Sequence, residues 1–180
     1  MTQAKVFVFA TVAVDGHAQR TLQYHGCELV LGKASWDTPQ GNSEPEMVAM
    51  ATGSDALMGT SIRNAPINRM IMQSSERLRI VAKYTIGTDD VDVEAATELG
   101  ILVAHSPTES NWGGVAEGTL TAMLTMLKKA RERDRHLKEH GGWRDSKLQG
   151  TYLGSRGDGY RGLTIGLIGL GRVGSRVATL

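Results

Sequence analysis

Near the end of the chain the sequence reads Leu163-Thr-Ile-Gly-Leu-Ile-Gly-Leu-Gly-Arg-Val-Gly-Ser-Arg-Val-Ala-Thr-Leu180. An apolar, β-prone run from Leu163 to Ile168 enters a turn with glycines at 169, 171 and 174. Val173, Val177 and Leu180 then recur at helical spacing. No other stretch constrains the fold as tightly, because each glycine in a strand, glycine-turn, helix sequence has its own physical task. Gly169 lets the chain leave the strand in a tight turn, Gly171 has no Cβ to hold a diphosphate off the main chain, and Gly174 lets the new helix pack close to the strand. The helix start offers the unpaired N–H groups of Arg172, Val173 and Gly174, with the positive end of the helix dipole behind them. The alternative is a flexible glycine loop, and the co-occurrence of all three parts favours a dinucleotide site.

A βαβ unit takes about 30 residues, and the acidic residue that would hold a ribose is expected about 20 residues past the glycines. The 180 residues stop inside the first helix. The expectation is therefore the opening of a nucleotide-binding domain, at 163–180, preceded by something else.

That something has the material for a core, with 41% apolar residues. A balance of 20 basic and 19 acidic residues gives no electrostatic footprint for nucleic acid or anionic membrane. The single Cys27 excludes an intrachain disulfide framework and fits a reducing, cytoplasmic setting, with the thiol read as a small core residue. The run Val6 to Val14 is β-branched and aromatic, follows one positive charge, and leads into Asp15-Gly16 without a cleavage signal, so it reads as a first buried strand and not a leader. No segment reaches the 18 or so apolar residues of a membrane helix.

After this strand, Ala18 and Leu22 mark a helix that Gly26 can stop, and Cys27 to Leu31 a second strand followed by a polar loop with Gly32, Pro39 and Gly41. Ser43-Glu-Pro-Glu46 has the spacing of a capping box, opening a helix to about Gly53. Ala56 to Met58 is a third strand, Ile67, Met70 and Ile71 a helical face, Leu78 to Ala82 a fourth strand, Asp92 the cap of a helix to Leu99, and Ile101 to Ala104 a fifth strand. Strands alternating with helices at this pace call for a parallel sheet covered on both faces, a flavodoxin-like α/β layer domain over residues 1–110. In such sheets ligands bind beyond the carboxyl ends of the strands, which points to Thr11 to Asp15, Gly59 to Ile62 and Lys83 to Asp90.

Residues 111–162 read as a linking helix and an extended connection. The helix starts at Val115, with Ala116, Leu120, Met123, Leu124, Leu127 and Ala130 forming a buried stripe, and runs on through a charged stretch from Lys128 to His140 before Gly141-Gly142 ends it. The charged stretch is a solvated face in this reading.

With these elements placed, the segment Leu78-Arg-Ile-Val-Ala-Lys-Tyr-Thr-Ile-Gly-Thr-Asp-Asp-Val-Asp92, together with Ala95-Ala96, Gly100 to Val103, Ser106-Pro-Thr108, Val115-Ala-Glu117 and the run from Gly162 to Val177, resembles the NAD-dependent D-2-hydroxyacid dehydrogenases. The resemblance implies a flavodoxin-like substrate domain joined to a Rossmann domain, and hydride transfer between NAD or NADP and C2 of a small 2-hydroxy or 2-oxo acid. It implies that the loop Thr85-Ile-Gly87 meets the substrate carboxylate through main-chain N–H groups, with Ile86 and Gly87 the candidates and Lys83 or Tyr84 nearby. The same residues would also serve as an ordinary strand-end turn. Thr85 replaces a glycine usual in that loop, Asp90 an asparagine, and Gly118 a histidine.

The catalytic Arg, Glu and His of the resembled family all follow the glycine turn, so none is expected among these residues, and the 180 residues alone are expected to be inactive. His105 sits in a post-strand loop but matches no catalytic position, and Arg63 is read as facing solvent. No metal site is expected. The cofactor-binding candidates are Gly169, Gly171, Arg172, Val173 and Gly174. As partners the reading allows a homo-oligomer formed through helix 115–136 or a complementing C-terminal half, and, as an alternative function, a non-catalytic assembly module.

Overall fold

The computed structural model describes residues 3–11, 15–35, 37–142 and 144–180. The chain divides into two compact units, 1–107 and 108–180.

The first unit is a five-stranded, wholly parallel sheet in the order β2-β1-β3-β4-β5. Its strands are β1 (Lys5–Thr11), β2 (Glu28–Ser35), β3 (Ala56–Gly59), β4 (Ile80–Lys83) and β5 (Leu102–Ala104), alternating with helices α1 (His17–Tyr24), α2 (Glu44–Ala51), α3 (Arg69–Gln73) and α4 (Val93–Glu98). This is the flavodoxin-like order, with its switch between β1 and β3. β1 lies inside the sheet and buries Val6 to Ala10 without interruption, as a strand covered on both faces must. Phe7, Phe9, Leu57, Ile71, Met72 and Val81 pack in one core with Met47 and Ala51 of α2 and with Ala95 and Ala96 of α4.

The expected helix caps form. Asp92 accepts from the Ala95 N–H at 2.9 Å, and the Ser43 N–H donates to the Glu46 carboxylate at 2.9 Å. The third cap, Asn68 accepting from the Ile71 N–H at 3.1 Å, opens α3.

Three expectations for this unit need correction. β2 does not end at Leu31 but continues to Ser35, through Gly32. The register slips between Val8 and Ala10, and a Cβ at Gly32 would lie 2.5 Å from the Phe9 carbonyl oxygen, so this glycine belongs to a bulge and not to a loop. The buried Asn42 side chain accepts from the Lys33 N–H at 2.8 Å and so satisfies a group the bulge frees. Cys27 is half-buried beside β2 and not in the core. The first strand is described only to Thr11; its expected continuation through Val12 to Val14 lies outside the described residues.

In the second unit the linking helix is two helices, α5 (Glu109–Leu127) and α6 (Ala130–His140). The break falls at Lys129, in the left-handed region at φ 52°. The Thr151 N–H caps the Leu127 carbonyl at 2.8 Å, and a Cβ at Gly150 would lie 2.7 Å from the Lys128 Cα, so the returning chain crosses at the break. The apolar stripe also differs from expectation. Ala116 is its only fully buried member, Leu120, Met123 and Leu127 are half-buried, and Leu124 is exposed. The run Leu163 to Ile168, expected as a strand, forms none: the Leu163 N–H donates to the Leu153 carbonyl at 2.9 Å without a ladder following, and Ile168 is fully exposed. β-prone residues form a strand only when another strand completes the ladder, and this unit offers none. The turn and α7 (Arg172–Thr179) are present, with α7 packed on α5.

Candidate functional site

The residues singled out from the sequence fall in two places, one in each unit. In the first, parallel strands bring Ser35 from the end of β2, Thr60 and Ser61 from the end of β3, and Thr85 from the end of β4 around a shallow cleft that Pro39 completes. Its position follows from topology, since the carboxyl ends of adjacent parallel strands lie along one sheet edge. Gly59 permits the close packing just below, where a Cβ would lie 2.5 Å from the Phe9 ring.

The loop after β4 is anchored at both ends. The Tyr84 N–H donates to the Gly59 carbonyl at 3.0 Å, Ser106 N–H to Thr85 at 3.2 Å, Ile67 N–H to Asp90 at 2.7 Å and Asp92 N–H to Ile67 at 2.9 Å. Between these anchors Ile86 and Gly87 are exposed, and their N–H groups have no acceptor among the described residues. Unpaired amides held on a fixed loop are what a carboxylate needs.

Lys83 closes the strand below this loop and is wholly enclosed. Its ammonium donates to the Asp90 carboxylate at 2.5 Å and to Ser61 Oγ at 3.3 Å, and lies 5.7 Å from the centre of the Phe9 ring. A buried cation needs such pairing, because desolvation alone would favour its neutral form. Burial also pushes the Tyr84 phenol above its ordinary range. Sequence reasoning placed Lys83 near the site but missed its partner. An aspartate seven residues on, across a turn, was the signal available. His105 and Arg63 are exposed, and neither lines the cleft. The loop from Thr11 to Asp15, also a sequence candidate, includes residues outside those described.

In the second unit Gly169 adopts φ +89°, a conformation that strains any residue with a side chain. A Cβ at Gly174 would lie 2.1 Å from the Gly169 carbonyl oxygen, whereas one at Gly171 would meet nothing within 4 Å. Two glycines are thus required by the turn's own packing, and the middle one faces open space. Gly171 caps α7, and the Ser175 N–H returns to its carbonyl at 2.9 Å. The N–H groups of Arg172, Val173 and Gly174 have no acceptor among the described residues, as at any open helix start. The Arg172 guanidinium lies 5.1 Å from the centre of the Trp112 ring on α5, which ties the start of α7 to that helix. Among the described residues no group of three or more His, Cys, Asp or Glu side chains is placed to hold a metal ion, and no helix is long and apolar enough to cross a membrane.

The family model for the catalytic domain of D-isomer specific 2-hydroxyacid dehydrogenases matches residues 8–165, and the chain belongs to that family. It is 34% identical over 139 residues to a D-3-phosphoglycerate dehydrogenase of Mycobacterium bovis, covering 77% of this chain and 24% of that protein. It is also 34% identical over 177 residues to a glyoxylate reductase of Aeropyrum pernix, covering 96% of this chain and 49% of that protein. The chain therefore spans half or less of the length of these relatives. Among solved structures, the TT0316 protein of Thermus thermophilus superposes with a TM-score of 0.74 at 28% identity over 97% of this chain and 51% of its own. D-lactate dehydrogenase of Aquifex aeolicus, solved with NAD and lactic acid, shares the fold at a TM-score of 0.71 and 23% identity, over 97% of this chain and 47% of its own.

Proposed function

We propose that these residues form the substrate domain and the first phosphate-binding turn of an NAD(P)-dependent oxidoreductase that interconverts 2-hydroxy and 2-oxo acids in the cytoplasm. The observation that carries the reading is the division of labour among the three glycines. Gly169 and Gly174 are demanded by the turn itself, while Gly171 leaves a main-chain surface open to a ligand. A dinucleotide's diphosphate fits there, against the N–H groups of Arg172, Val173 and Gly174 at the positive end of α7. When bound, the nicotinamide would supply the hydride acceptor for C2 of the acid. The chain's own contribution is to hold the acid by its carboxylate on the Ile86 and Gly87 amides, beside the cleft of Ser35, Thr60, Ser61 and Thr85.

Titrating NADH into the isotope-labelled chain tests the first part. The amides of Arg172 to Gly174 should shift, and Gly171→Val should abolish the shifts while leaving the far-ultraviolet circular dichroism unchanged. Unaltered NADH binding by Gly171→Val would overturn it. A proton donor is also needed for turnover, and no histidine follows the turn in these 180 residues. The 180 residues alone should therefore leave NADH unoxidised in the presence of small 2-oxo acids.

A second reading, assembly through α5 with another copy or with a complementing C-terminal half, is favoured by the poor cover on that helix. Val115 is 56% exposed and Met126 77%. Light scattering decides, since a strict monomer at high concentration removes it.

A further inference from the structure

The relatives at 34% identity include both phosphoglycerate and glyoxylate enzymes, so sequence similarity leaves the tail of the acid undecided. The charges around the cleft address it. Of its lining residues, Ser35, Thr60, Ser61 and Thr85 offer hydroxyls and Pro39 an apolar wall, and none carries a charge. One cation, Lys83, lies a single hydrogen bond behind the cleft, through Ser61 Oγ at 3.3 Å. That cation is already committed, because Asp90 holds it at 2.5 Å with the lysine side chain wholly enclosed and the aspartate 17% exposed. Arg63, in the loop after β3, is exposed and does not line the cleft, although its N–H donates to the Pro39 carbonyl at 3.0 Å.

We infer that Asp90 sets the charge selectivity of the cleft. By neutralising Lys83 it leaves the described lining of the cleft without a free cation, so the cleft takes 2-hydroxy or 2-oxo acids with a small uncharged tail and disfavours those ending in a phosphate. This rests on the carboxylate reading of Ile86 and Gly87, which fixes which end of the acid points where. A phosphate placed beside Ser61 would meet neutral hydroxyls with the Lys83–Asp90 pair, of no net charge, behind them, and an anion that gives up water without gaining a free cation is disfavoured. An uncharged tail meets the same hydroxyls and apolar wall without that cost.

D-glycerate and 3-phospho-D-glycerate share one skeleton and differ by the phosphate, so titrating each into the labelled chain while following the Ile86 and Gly87 amides tests the inference. D-glycerate should bind the unaltered chain about ten-fold more tightly or better, a ratio equivalent to about 1.4 kcal/mol. Asp90→Asn, which frees Lys83, should erase or reverse the preference. Ser35→Lys places an ammonium in the cleft at a residue that does not contact the buried pair, and should shift the preference in the same direction even if Asp90→Asn fails to fold. Equal or tighter binding of the phosphoester by the unaltered chain would overturn the inference, and loss of that binding in Arg63→Gln would assign the charge to Arg63 instead. A preference for D-glycerate that survives in every variant would likewise remove Asp90 from the role while the carboxylate reading stands. If neither acid moves the two amides, the carboxylate reading falls and the inference with it.

Discussion

The two units of this chain handle the same raw material in opposite ways. In residues 1–107 the apolar residues of five strands and their helices meet one another, and Phe7, Phe9, Met47, Leu57 and Ile71 are completely shielded from water. In residues 108–180 the apolar content is also substantial, yet among the described residues Ala116 is the only apolar side chain fully buried. A parallel sheet closes its core with helices drawn from the same stretch of chain, because each crossover delivers a helix to a face of the sheet. In the second unit α5 meets the short α7, which leaves much of its apolar stripe half-buried or exposed. Buried apolar side chains are therefore concentrated in the first unit.

Single substitutions can break or sharpen that contrast. Phe9→Ala should lower the unfolding free energy of the first unit by about 3–5 kcal/mol, whereas Leu124→Ala on α5 should stay within about 0.5 kcal/mol. Paired denaturant titrations of the two variants would show it, and equal losses would mean that α5 is covered in solution. Asp90→Ala, which strands an enclosed ammonium, should cost about 3–5 kcal/mol, and combining it with Lys83→Met should recover most of the loss. A double-mutant cycle showing no coupling would remove the ion pair from the account.

The glycines should follow the same division at smaller size. Gly59→Ala drives a methyl group into the Phe9 ring and should destabilise by about 1–3 kcal/mol, while Gly171→Ala, with open space around it, should leave the melting temperature almost unchanged. Calorimetry on the two variants checks both.

The smallest effect concerns acid. The Lys33 ammonium and the Ser43 N–H hold the Glu46 carboxyl down to about 2 from an ordinary 4.5. The Lys5 N–H, at 2.7 Å, and Arg77 hold Asp55 below its ordinary range. Carboxyls depressed in the folded state stabilise it above their unfolded pKa, and that contribution is lost as pH falls through the folded one. The first unit should therefore lose stability as pH drops from about 4.5 toward 2, and Glu46→Gln and Asp55→Asn should each flatten the slope of a denaturant midpoint plotted against pH. An unchanged slope in both variants would show that other groups govern acid unfolding. Glu46 and Lys33 are both well exposed, so salt should weaken their part.

Much of this was legible in the residues because it depends on local chemistry. The alternation of strands and helices, the caps at Ser43 and Asp92, and the unbroken apolar run of β1 are short-range signals, and the class of fold follows from them. Gly174 could be read as a close-packing position from its place in the glycine turn, and the 2.1 Å approach to the Gly169 carbonyl gives that reading a physical measure. Other features depend on neighbours distant in sequence. The continuation of β2 through Gly32 was hidden because glycine reads as a loop former until Phe9 is seen against it, and Asn42 reads as a loop residue until the bulge supplies its donor. The helix break at Lys129 escaped notice because lysine is a good helix former, and only the crossing at Gly150 shows why the chain turns there.

The amino-acid sequence by itself determined the alternation of elements in the first unit, the parallel layered architecture and the glycine turn, because periodicity, capping and the absence of a Cβ are properties of adjacent residues. Only the tertiary structure decided that Lys83 is spoken for by Asp90, that Ser61 stands between that pair and the cleft, and that Leu163 to Ile168 forms no strand here. Charge pairing and ladder formation belong to partners that folding brings together, and spacing along the chain can suggest such a pair without making it.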